Sequence, residues 1–333
     1  MFISLILILV LLYEFMLLHD DNTQLRAQLQ DIKYRHSPFL RTHSNTKGWK
    51  IVDWSNPISQ EESNKFSCAW TKYKSSSTKK TARMCVHDFD DRVSNVLRKG
   101  ARWIECDILP ELWKANAQNK KSVYIDIGAN IGSCVMEMLL ETDAKIIAFE
   151  PHPMNLFNLK KTISDLGPSF QNRVSLFPIG LGSEEGTFTI YSGHDNLGNS
   201  VIGTKIPDYE NAKFSEEFQF EISVDRLDSL IRNDIDVRLV KMDAQGYECH
   251  VLEGMGKGIA SNIDTIKFEW AAKWLQGLKC TDLMKRFREY GFVIFQDYNA
   301  VLGFHNRLEG DSGRKPVVDL FATRRIATKY VNR

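Results

Sequence analysis

The amino-acid sequence predicts an α/β fold built on a mostly parallel sheet that closes with a C-terminal antiparallel hairpin. Three observations carry this. From Ser122 onward, apolar runs of strand length alternate with amphipathic helical stretches, the pattern of consecutive βαβ units. Most of those runs are continuously apolar, as strands buried on both faces require. The segment "VYIDIGANIGSCVMEMLLE" (123–141) then joins an apolar run, an acid, two glycines and an amphipathic helix. That is a strand entering a tight turn and a helix, a place where α/β proteins hold nucleotide-like ligands.

Taken in order, strands are expected at 123–128, 145–151, 173–180, 237–243 and 265–270. Val135, Met138 and Leu139 form one helical stripe between them, and Leu156, Leu159 and Ile163 another. A third helix, "YECHVLEGM" (247–255), is expected to stop at Gly254 and Gly256. "FVIFQDY" (292–298) and "VVDLFATR" (317–324) make the closing hairpin. Upstream, 49–120 reads as an irregular lead-in with helices at "VSNVLRKG" and "ECDILPELWKANAQ", and there is no internal repeat.

The N-terminus differs. Phe2 to Leu18 is a largely apolar run broken by a single charge, Glu14. At ~1.5 Å per residue it reaches roughly 25 Å, at the lower limit for crossing a ~30 Å hydrocarbon core. The segment "LLHDDNTQL" offers no small-x-small cleavage site, so an uncleaved signal-anchor over 1–19 is preferred to a cleaved signal. A polar stem over 20–48 follows. The expectation is a single-pass membrane protein of the secretory pathway (Golgi or ER) with a lumenal domain, although flanking charges specify orientation poorly.

Composition excludes some classes. A chain of 333 residues with net charge +1 is not a dedicated nucleic-acid binder. The basic run "KYKSSSTKKTAR" (72–83) reads as a solvated loop. None of the six cysteines forms a CxxC pair, so no zinc ribbon is expected. Cys134 and Cys249 fall on core helices, where a free cysteine is a small buried hydrophobe. Cys68 and Cys85 would pair only if the chain faces an oxidising lumen, and the residues leave that open.

The chemistry starts at "DIGANIG". Gly128 and Gly132 are separated by three residues, so the G-x-G-x-x-G dinucleotide pattern is missing, as is a phosphate-binding G-x-x-x-x-G-K-[ST] loop. Asp126 would repel a phosphate and suits a cationic ligand end, such as the ammonium and sulfonium of S-adenosylmethionine. The second strand ends in "AFEP", which places Glu150 where an acid grips a ribose diol.

These residues, with "AFEPHPMNLFNLKK", "IGLGSEEGTFTIY", "LVKMDAQGYECHVLEGM" and "IKFEW" in that order, resemble the FkbM family of S-adenosylmethionine-dependent methyltransferases over about 122–300. The lead-in "CAWTKYK…ARMCVHD…WIECDILPELW" is similar to animal-type, membrane-anchored members. The resemblance implies a class I methyltransferase (Rossmann-like) domain over 121–326. It also implies methylation of a hydroxyl on a glycan or small polar metabolite.

The expected cofactor set is Asp126, Gly128, Asn130, Gly132 and Glu150. Asp243, Lys241 and Glu269, at the ends of the fourth and fifth strands, are the catalytic candidates, with Asp243 orienting the acceptor or taking its proton. The alternative for Lys241 is a salt bridge bracing those strands, and Glu248 admits the same alternative. His194 and Asn196, in the polar loop "SGHDNLGNSVIG" (192–203), and Glu248 are the acceptor-binding candidates; the loop has the look of a mobile lid. His152 and His250 are bases by type only, His250 falling inside a helix. Asp243 and Glu269 would suit Mg²⁺, but the usual Asp-Asn pair after strand four is absent and no metal ligand is assigned.

Two other classes share part of this layout. A membrane-anchored glycosyltransferase would use an Asp-x-Asp pair, and "DFD" (88–90) and "DID" (234–236) fit that pattern, but neither sits at a strand end. A non-catalytic S-adenosylmethionine-binding scaffold would have no need to keep Asp126 and Glu150.

Overall fold

The computed structural model describes residues 39–41, 48–100, 102–115, 122–193, 195–203, 215–271, 280, 282–296 and 317–324. The expected anchor over 1–19 and most of the expected stem lie outside these residues. Among the described residues, no helix is long and apolar enough to cross a membrane.

The lead-in opens with α1 (Gln60–Lys65), started by a reciprocal capping box between Ser59 and Glu62. Next come β1 (Ala69–Lys74) and β2 (Thr81–Val86), then α2 (Arg92–Gly100), a 3-10 turn at Ile104–Cys106, and α3 (Leu109–Ala115). The basic run 72–83 is therefore an antiparallel hairpin, not a solvated loop. Its alternation explains this: Trp70, Lys72 and Lys74 face water while Tyr73 is buried and donates to Glu137 Oε2 at 2.7 Å. Val52, Leu109 and Leu112 share one apolar cluster with the main sheet, so the lead-in packs into the same core.

The main sheet is assembled from β3 (Val123–Ile127), β4 (Lys145–Phe149), β5 (Val174–Phe177), β10 (Val237–Met242), β11 (Ile263–Ala271), β12 (Val293–Phe295) and β13 (Val317–Thr323). Across the sheet the order is β12-β13-β11-β10-β3-β4-β5, with β13 antiparallel to both of its neighbours. This is the class I methyltransferase sheet. The helices are α4 (Ser133–Glu141), α5 (Pro153–Leu166), α6 (Pro168–Gln171), α7 (Leu227–Leu230), α8 (Glu248–Ala260) and α9 (Leu283–Glu289).

The two faces of the sheet follow from the strand period of two. Ile125, Ile127 and Met242 join the cluster with Leu252 and Phe287 from α8 and α9. Tyr124 and Leu239 join Met138 and Leu159 from α4 and α5. Each fully buried Leu, Ile or Phe stabilises by roughly 1.5–3 kcal/mol.

The structure departs from the sequence reading in three places. The single strand expected at 173–180 is two, because Pro178 has no N–H to continue the ladder. Its second half is β6 (Gly180–Leu181), which belongs to a separate four-stranded sheet with β7 (Gly186–Tyr191), β8 (Val201–Ile202) and β9 (Phe220–Asp225) in the order β6-β9-β7-β8. Next, the helix does break at Gly256 as expected, where φ 64° and ψ 163° are non-helical, but it passes through Gly254 and a further helical stretch continues α8 directly to Ala260. Gly254 is there for close approach: a Cβ would lie 1.8 Å from the Gly182 carbonyl oxygen. Finally, Cys134 and Cys249 are not free. The disulfides are Cys68–Cys85, Cys106–Cys134 and Cys249–Cys280, with Cα separations of 5.7, 5.0 and 5.6 Å, ordinary for the bond.

Candidate active site

The strand order reverses between β3 and β10, and ligands of open α/β sheets bind beyond the carboxyl ends of the strands at such a switch. A cleft lies there, walled by Gly128, Asn130, Phe149, Glu150, Asp243 and Gln245 among others.

The first loop, 128–132, leaves β3 through three left-handed residues: Gly128 (φ 75°), Asn130 (φ 53°) and Gly132 (φ 94°). The Gly128 and Ala129 amides donate to Phe149 O, which ties the turn to the end of β4. A Cβ on Gly128 would sit 2.1 Å from the Asp243 carbonyl oxygen, so glycine lets the β3 and β10 loops touch. Gly132 caps α4, where a Cβ would meet Leu159 at 2.3 Å, and it does not line the cleft.

Glu150 stands one residue beyond β4. Its carboxylate accepts from the Asn130 amide at 2.6 Å and from the His152 amide at 2.9 Å. Burial pushes its pKa up to about 7, against the opposing pull of those two amides.

Asp126 is placed differently from its expected cofactor-facing position. It is wholly buried under the turn, on the Tyr124 face of β3 and in register with Lys241 of β10. Lys241 Nζ lies 3.4 Å from Asp126 Oδ1 and 3.6 Å from Asp243 Oδ2, and donates to Gly128 O at 2.5 Å. Burial alone would lower the pKa of Lys241, but Asp126 and Asp243 outweigh it and hold the pKa above its ordinary value. Lys241 is a fixed cation beneath the cleft, not a proton acceptor.

The second loop leaves β10 at Asp243 and turns through left-handed Gln245 (φ 52°) and Gly246 (φ 91°). Gln245 Nε2 donates to Asp243 Oδ1 at 2.5 Å and to Glu269 Oε2 at 3.1 Å. Glu269 is thereby one side chain removed from the cleft, with its pKa pushed well up by burial and then by Asp243 and Glu248. Glu248 braces its own loop through the Ala244 amide at 2.9 Å and does not face the cleft; burial raises its pKa to about 8.

Of the other acceptor-binding candidates, Asn196 sits behind the wall, accepting from the Gly198 amide at 3.1 Å, and His194 lies outside the described residues. The expected lid is largely built structure: Leu197 is fully buried, and Leu197, Gly198 and Ser200 line the cleft. The His152 ring is enclosed edge-on to Phe220, where burial lowers its pKa to about 3. His250 stacks on Tyr247. Sequence reasoning missed Gln245 and Asn155, and within the 192–203 loop it chose His194 and Asn196 rather than Leu197, Gly198 and Ser200. Only the "AQG" turn following an acid could have pointed to the first of these. Among the described residues, no group of three or more His, Cys, Asp or Glu side chains could hold a metal ion.

Residues 126–294, just over half of the chain, match the family model described as the Methyltransferase FkbM domain. The chain belongs to that family. S-adenosylmethionine is the cofactor of this FkbM-family methyltransferase, and the residues present fit it, with a buried carboxylate on the cleft wall at the tip of the second parallel strand.

Similar solved structures include an S-adenosylmethionine-dependent O-methyltransferase from Thermotoga maritima (11% identity, 75% of this chain and 76% of that one, TM-score 0.34). Another is TYW2 from P. horikoshii in complex with MeSAdo (14%, 78% and 73%, TM-score 0.35). A third is precorrin-6y C5,15-methyltransferase from Geobacter metallireducens (14%, 64% and 86%, TM-score 0.31). Likenesses of this strength add nothing to what the sheet order shows. No curated protein matches the chain.

A pH dependence follows for the FkbM-family methyltransferase. If Glu150 is the group that receives the ribose diol, its ionised form is the acceptor, so S-adenosylhomocysteine should bind more tightly as pH rises through about 7. Stability of the ligand-free protein runs the other way. Glu150 and Glu248 have folded pKa values of about 7 and 8, above the ordinary 4.5. Their contribution is fully present below pH 4.5 and is lost as pH rises through those values. Calorimetric titrations and melting curves across pH 6–8.5 check both signs; an affinity that stays flat with pH would remove Glu150 from the diol.

Proposed function

We propose that this FkbM-family methyltransferase transfers the methyl group to an oxygen, on a hydroxyl of a glycan or a small polar metabolite. The observation that carries the reading is Asp243. It is the acid on the cleft wall beside the first loop, oriented by Gln245 on one oxygen and Lys241 on the other. When bound, S-adenosylmethionine supplies an electrophilic methyl group. Glu150 would hold the ribose diol, the 128–132 backbone would pass beneath the amino-acid end, and Asp243 would orient the acceptor hydroxyl and take its proton. Lys241 serves as the fixed counter-charge between Asp126 and Asp243.

The same proposal places the domain in an oxidising lumen behind an anchor at Phe2–Leu18. Three disulfides support that compartment, since such bonds persist where the environment is oxidising.

Replacing Asp243 with Asn should reduce turnover by ~10²–10⁴-fold, the usual worth of a positioned base, while S-adenosylhomocysteine affinity stays within about threefold. Radiolabelled methyl transfer to a panel of hydroxylated and amine-bearing acceptors, run beside calorimetry, makes the comparison. Equal losses of turnover and affinity would make Asp243 structural, and an N-methyl product would overturn the oxygen assignment.

A further inference from the structure

We propose that Asp91, in the lead-in and outside the family-matched segment, is a positioning residue that sets one wall of the cofactor cleft. This rests on the cofactor occupying that cleft.

Asp91 is 1% exposed, and its two oxygens do different work. Oδ2 accepts from the Ser94 amide at 2.8 Å, capping the N-terminus of α2. Oδ1 accepts from the Leu197 amide at 3.1 Å, and the next residue, Arg92, donates its amide to Asp195 O at 2.9 Å. A cap alone needs one oxygen, and a serine would serve. The second oxygen holds the backbone that lines the cleft at Leu197 and Gly198. That backbone lies against the first loop: a Cβ on Gly198 would come within 2.8 Å of Asn130 Nδ2, and the Asn130 amide in turn holds Glu150.

A second tie leaves the same corner of the lead-in. His87 Nδ1 accepts from Asn158 Nδ2 at 2.9 Å, which fixes the tautomer in which Nε2–H donates to Asn155 Oδ1 at 2.8 Å. Asn155 lines the cleft and reaches Leu197 O at 3.5 Å. The lead-in thus grips the 195–200 wall directly through Asp91 and indirectly through His87.

The test compares Asp91→Ser, which keeps a capping oxygen but cannot span to Leu197, with Asp91→Ala, which offers no acceptor to either amide. In the full-length chain, Asp91→Ser should weaken S-adenosylhomocysteine binding about tenfold or more and raise hydrogen exchange at residues 195–200, with exchange in α2 unchanged. Asp91→Ala should weaken binding by a similar factor and raise exchange in the first turn of α2 as well, because the cap is then lost too. Wild-type affinity in Asp91→Ser, or unchanged exchange across 195–200, overturns the proposal alone. Failure of folded wild-type protein to bind overturns the cofactor placement, and the proposal with it.

Discussion

Full reduction of the three disulfides is expected to lower the melting temperature of this FkbM-family methyltransferase by tens of degrees and to abolish binding of S-adenosylhomocysteine. The bridges close sequence separations of 17, 28 and 31 residues. Each constrains the unfolded chain by about 3–4 kcal/mol on the chain-entropy account. Together that is on the order of 10 kcal/mol, comparable with the whole 5–15 kcal/mol by which domains are usually stable.

Their placement extends the effect to binding. Cys134 lies in the first turn of α4, directly after the 128–132 loop, and is tied to Cys106 of the lead-in. Cys249 lies in the first turn of α8, directly after the Asp243 loop, and is tied to Cys280. Cys85 donates its amide to Thr162 of α5, the helix that follows Glu150. Each bridge therefore braces the helix behind one of the three cleft loops. Scanning calorimetry with excess dithiothreitol, alongside titration of free thiols, provides the check. Six titratable thiols with an unchanged melting temperature would contradict the account.

How far the sequence disclosed this arrangement depended on the range of the contacts involved. The parallel strands through Val123, Lys145, Val237 and Ile263 were legible because burial on both faces leaves a continuous apolar run. The second sheet was not. β6 and β8 are two residues each, and β7, "GTFTIY", is half-buried, so neither length nor periodicity marks them. Glu150 was legible as an acid just past a strand end. Asp126 looked equivalent, but it lies within β3 and points with Tyr124 into the helix layer, where only the register with Lys241 shows its partner. Disulfide connectivity and the grip of Asp91 on Leu197 join residues far apart in the chain, and no local pattern encodes them.

The second large effect is expected at Glu150. Two hydrogen bonds from a ribose diol to a buried carboxylate contribute about 1.5–3 kcal/mol each. Their loss corresponds to a weakening of at least about 100-fold. Glu150→Ala would also leave the Asn130 and His152 amides without their acceptor and could disturb the turn itself. Glu150→Gln keeps an oxygen for one of them, sets an NH2 against the other and removes the charge, so a melting curve of the variant is what separates ligand recognition from loop integrity.

The most direct measurement is calorimetric titration of S-adenosylhomocysteine into full-length wild-type protein and Glu150→Gln at pH 8, with melting curves of both. The account predicts clear binding by wild type and about 100-fold weaker binding by a variant that melts within a few degrees of it. A folded Glu150→Gln protein that binds as tightly as wild type would contradict it.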